Sequence, residues 1–126
     1  MESRVNDTLK LGPNGYRVKV LGPILRWEAN EISALVAVMI AQDAANGLVM
    51  AAGASETYLN PNCPGAWVSP DPPTTFWDAD ALVAVNTGLR PALVAGAALA
   101  YAHVWIVDAA HQVHQGDWTV DVTLQK

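Results

Sequence analysis

The chain has 126 residues, is 52% hydrophobic and 15% charged, and carries a formal net charge of −5, which describes one globular domain of ordinary size. A single cysteine, Cys63, and three histidines exclude an intramolecular disulfide framework, a four-cysteine zinc site and an iron–sulfur cluster. Residues 1–26 hold five of the seven basic residues against two acidic ones, so the remaining hundred residues balance to −8; that acidic body repels a phosphate backbone, and nucleic acid is not an expected partner.

Residues 1–11 read as an N-terminal arm ahead of a single domain at 12–126, with the basic start free to lie against an acidic neighbour. Residues 1–10 lack the continuous apolar core of a secretory signal, which makes the cytoplasm the default location. The apolar stretches at 32–41 and 91–107 are shorter than the roughly 20 residues that span a bilayer, so no membrane association is expected.

The turn signal GPNG at 12–15 precedes Tyr16, Val18 and Val20, which alternate with Arg17 and Lys19 in the period of a half-buried strand. Gly22 and Pro23 interrupt this run before it resumes, as in a strand that bends or changes partner. Residues 32–42 fit helical spacing and equally a strand buried on both faces. As a helix the segment would occupy 31–46, whereas as a strand it turns through DAANG at 43–47 into a second apolar run. Strands are preferred because the rest of the chain reads as strands and turns, and a lone helix would conflict with them.

Five of the eight prolines fall in residues 60–75, an irregular excursion that also carries Trp67 and Cys63. Cys63 has no nearby basic residue in sequence to activate it. A further strand is expected at 76–85 and a long apolar one through 98–107. The last, from Trp118 to Leu124, shows the strictest apolar–polar alternation in the chain. About seven short strands with regular turn signals predict an all-β, antiparallel sandwich of immunoglobulin or fibronectin type III style, with a small β-barrel, or an α+β fold with a helix at 31–46, as alternatives.

Chemistry-bearing residues are sparse. His111 and His114 beside Asp108 form the nearest approach to a metal-ligand cluster; three residues apart on a strand they face opposite sides, and share an ion only within a turn. His103 lies within the apolar run with Tyr101 and Trp105 on its face. With a hairpin centred between Gln112 and Val113 it would oppose Val122, and one residue of slip would set it across from Asp121. His103 is thus either a hydrogen-bonded structural histidine or, with Tyr101 and Asp121, the core of a small barrel enzyme. No cofactor is expected. Trp67, Phe76 and Trp77 flank the proline-rich stretch and offer a platform for a sugar ring, a small apolar ligand or a partner.

The leading functional expectation rests on surplus apolar surface. Residues 98–107 are apolar on both faces, with Ala98, Ala100, Ala102, Val104 and Ile106 on one and Leu99, Tyr101 and Trp105 on the other, whereas a two-layer fold covers only one. A non-catalytic subunit that contacts itself or another protein is therefore expected, with a ligand-binding module as the alternative.

Overall fold

The computed structural model describes residues 2–25, 31–44, 47–59, 68–70, 73–83 and 92–126. Cys63 and Trp67 lie outside them. Among the described residues there are nine strands: β1 (Glu2–Ser3), β2 (Thr8–Leu11), β3 (Arg17–Leu25), β4 (Glu31–Ala44), β5 (Gly47–Tyr58), β6 (Val68–Pro70), β7 (Pro73–Val83), β8 (Gly96–Asp108) and β9 (Val113–Gln125).

The fold is all-β, and seven of the strands close on themselves in the order β3-β2-β9-β8-β4-β5-β7, with β7 returning to β3. The sandwich expectation is corrected to a closed barrel by that last pairing, which runs from Arg17 against Leu82 to Leu25 against Thr74. It joins two edges that a sandwich would leave open. Among the described residues every pairing is antiparallel except β2 with β9, where Thr8, Leu9 and Lys10 lie beside Thr123, Leu124 and Gln125.

Residues 31–44 form a strand and not a helix, and pair over nearly their whole length with both β5 and β8. Period-two burial explains the choice: Ala34, Val36, Val38 and Ile40 are buried while the residues between them face outward. The expected loop at 43–47 shortens to a tight hairpin, since Ala44 already pairs with Gly47.

Residues 8–11 form β2, which stands in the barrel wall between β3 and β9. Leu9 and Leu11 are each 1% exposed and belong to the core. The Gly22-Pro23 interruption is where β3 exchanges one neighbour for another: β2 flanks it at residues 18–19 and β1 at 24–25. The Leu21 carbonyl accepts from the Asn6 amide on that edge, so the missing N–H of Pro23 falls where the ladder is already broken. Gly22 is needed there because a Cβ would overlap the Arg4 carbonyl oxygen as the chain crosses over it.

The core is one cluster drawn from β2, β3, β4, β5, β7, β8 and β9, with Leu59 and Leu93 closing on it from the connecting segments. Leu93 is held by the carbonyl of Gly15, and the segment behind it by Gln42. The buried Gln42 amide donates to the carbonyls of Val94 (2.9 Å) and Ala97 (3.1 Å) and accepts from the Val94 amide (2.9 Å). A side-chain amide thus ties the entry to β8 onto β4, supplying the bonds that an irregular segment needs if it is to be buried.

Candidate functional site

Along β8 the even-numbered residues from Ala100 to Ile106 are buried, and the odd-numbered ones emerge on the outside of the barrel. Register then sets their outward neighbours on the adjoining strands. Ala41 lies between Met50 and Leu99, Met39 between Ala52 and Tyr101, Ala37 between Ala54 and His103, and Leu35 between Glu56 and Trp105. Directly opposed side chains on one sheet face are in contact range, so these rows join into one apolar surface across β5, β4 and β8. Leu35, Met50 and Leu99 are each more than two-fifths exposed.

No charged residue interrupts the middle of this face; Asp43, Glu56, Asp117 and Asp121 stand around its margin. At one end a groove of about 470 Å³ opens between Ala41, Leu48, Leu99 and Asp121. The second apolar face expected for residues 98–107 is thus present and, among the described residues, uncovered.

His103 sits within it, half-buried. Its Nε2–H donates to Gln115 Oε1 (3.1 Å), its Nδ1 accepts from the Tyr101 hydroxyl (3.4 Å), and its ring leans on Trp105 with centroids 4.3 Å apart. The hairpin centres on Ala110, because Val107 pairs with Val113, and His103 therefore opposes Asp117 instead of Val122 or Asp121. Asp121 opposes Leu99, four residue pairs away along the strand. Tyr101 and His103 are brought together and Asp121 is not, so the expected acid–base trio is not assembled; the histidine lies on an outer sheet surface.

The β8–β9 turn explains the apparent metal cluster. Asp108, 3% exposed, accepts at Oδ1 from the amides of Ala110 and Gln112, both at 2.9 Å, and lies 3.3 Å from His114 Nε2 through Oδ2. Its carboxyl is held below the usual range chiefly by the Gln112 amide, with His114 and Ala110 adding to the effect and burial opposing it. His111 occupies the left-handed position of the turn at φ 63° and is exposed. Asp108 and His114 are paired while His111 is not with them, and no group of three or more potential ligands occurs among the described residues. Asp108 acts as the organiser of the turn.

The Trp77 platform is corrected by strand parity. Phe76 and Trp77 are consecutive on β7 and face opposite ways: Phe76 is 56% exposed and Trp77 2%. Trp77 is a core residue, and its Nε1, like Ser55 Oγ, is buried with no hydrogen-bond partner among the described residues.

Between β3 and β7, outward charge is paired. Lys19 Nζ lies 2.9 Å from Asp78, which raises the lysine pKa chiefly through that hydrogen bond, and Arg17 lies 3.9 Å from Asp80. Asp78 and Asp80 serve as partners of the basic strand β3. The outer face of β5, β4 and β8 was legible in the apolar odd positions of β8, but its extension through Leu35, Met39 and Met50 required the register.

No family model matches the chain, and no curated protein matches it. Among solved structures it is similar to the CooA pilin subunit from enterotoxigenic Escherichia coli, at 13% identity, covering 94% of this chain and 87% of that one, with a TM-score of 0.42. A likeness of that degree carries neither fold nor function over to this chain.

Proposed function

We propose that this chain is a non-catalytic assembly subunit whose copies associate through the outer face of β5, β4 and β8. The observation that carries this reading is the largely apolar surface, free of charge at its centre, formed by Leu35, Met39, Leu99, Tyr101 and Trp105 with their neighbours.

Its relief fits a second copy of itself. Outward residues of β8 are large, those of β5 opposite β4's centre are Ala52 and Ala54, and β4 between them alternates Leu35, Ala37, Met39 and Ala41. A two-fold axis running along β4 sets the β8 ridge of one copy over the β5 furrow of the other, the large-on-small arrangement by which sheet faces interdigitate. The acidic margins of two such copies repel, so salt should strengthen the association.

Absolute mass by light scattering on a sizing column, over a range of concentration and salt, tests this reading. An oligomer whose fraction rises with protein and with salt supports it, and a monomer under all conditions removes it.

A further inference from the structure

A separate feature lies on the β9 edge. Its ladder with β8 runs without a break from Val113 to Leu124. On the opposite edge β2 covers only Thr123, Leu124 and Gln125, while β1 pairs with β3 instead. Among the described residues nothing pairs with that edge over 113–122.

The amide of Thr123 donates to the Asp7 carbonyl on this edge. In a regular strand the N–H and C=O groups of Gln115, Asp117, Thr119 and Asp121 therefore point the same way, toward no strand among the described residues. Burial tells the same story from inside. Val122 and Leu124, beside β2, are 4% and 1% exposed, whereas Trp118 and Val120 pack against the core and are only partly covered.

Exposed edges are ordinarily blunted by lysine, proline or a bulge. Residues 96–125 contain no lysine, arginine or proline, and β9 has no register shift. Its outward charges are Asp117 and Asp121, both exposed and in no ion pair among the described residues, unlike Asp78 and Asp80.

We infer that the free edge of β9 is a docking site for an extended segment of another protein, with basic side chains alternating with apolar ones. Added beside β9, such a strand pairs with the main-chain groups at 115, 117, 119 and 121. Its apolar side chains cover Trp118 and Val120, and its basic ones face Asp117 and Asp121. A second copy does not supply that strand: the alternating basic segment of this chain, Arg17 to Lys19, is already built into β3 and ion-paired to β7.

The test is amide hydrogen exchange on the nitrogen-15-labelled full chain, titrated with an alternating Lys-Val peptide and, in parallel, an alternating Glu-Val peptide. In the free protein the amides of Gln115, Asp117, Thr119 and Asp121 should exchange fast. The Lys-Val peptide should slow those four by about tenfold or more, less so at about 0.5 M salt, and the Glu-Val peptide should leave them unchanged. Asp117→Lys with Asp121→Lys should reverse the preference, and Thr119→Pro, which removes an edge donor, should weaken binding of the Lys-Val peptide.

Protection of the four amides in the free protein at every concentration would overturn the inference, because the edge would already be covered. So would protection that grows only with protein concentration, which would make a second copy the occupant, or equal effects of the two peptides. Salt separates this site from the β5-β4-β8 face, since it weakens peptide binding here and strengthens self-association there.

Discussion

The two faces of β8 carry unequal loads. Inside the barrel it presents Ala98, Ala100, Ala102, Val104 and Ile106; outside, Leu99, Tyr101, His103, Trp105 and Val107. Globular proteins usually keep their bulkiest apolar side chains inside, and β8 does the reverse. Within the barrel the volume is filled largely from other elements, including Leu9, Leu11, Ile24, Leu59 and Trp77, so the inner wall of β8 is kept small. The heavier outer set is not needed to complete that core, and folding and association should therefore separate by face.

The largest effect belongs to the inner face. Ile106→Ala should cost about 2–5 kcal/mol in denaturant unfolding, because the rigid wall of a closed barrel cannot collapse into the space left behind. Gln42→Ala comes next, at about 1–3 kcal/mol, since it strands the Val94 amide and two carbonyls without their partner. On the outer face, Leu35→Ser with Trp105→Ser should change stability by only about 1 kcal/mol while shifting the light-scattering mass to that of one chain. If the outer pair proved as costly as Ile106, the two faces would not differ in kind.

Strand content was legible because alternation is local: the patterns at 16–20, 98–107 and 118–124 each located a strand that is present. Barrel closure was not, because it depends on β3 meeting β7 across some sixty residues of chain, and no local pattern encodes which edges find each other. The same limit applies to the site. The outward apolar residues of β8 could be named from parity alone, whereas Leu35, Met39 and Met50 join them only through register. The His103 and Asp121 pairing failed on register too, since Asp108 draws the turn in and moves the hairpin centre to Ala110. Trp77 shows the opposite case, where parity from Phe76 would have sufficed to put one of the two inside.

The smallest expected effect concerns that turn, which holds both faces of β8 in register with β9. Asp108 is the group to titrate, and its folded pKa lies below its unfolded value, chiefly because the Gln112 amide bonds to the ionised form. The sign follows from linkage: its contribution is fully present above the ordinary aspartate pKa of about 3.9 and is lost as pH falls through the lower folded value. Asp108→Asn keeps an oxygen for the Ala110 and Gln112 amides but removes the titration. Denaturant midpoints measured from neutral pH into acid should fall less steeply below about pH 4 in the variant than in the parent chain. Parallel acid slopes would mean that Asp108 does not set them, and that the turn is held by the His111 amide bond to the Asp108 carbonyl and the strand ladder alone.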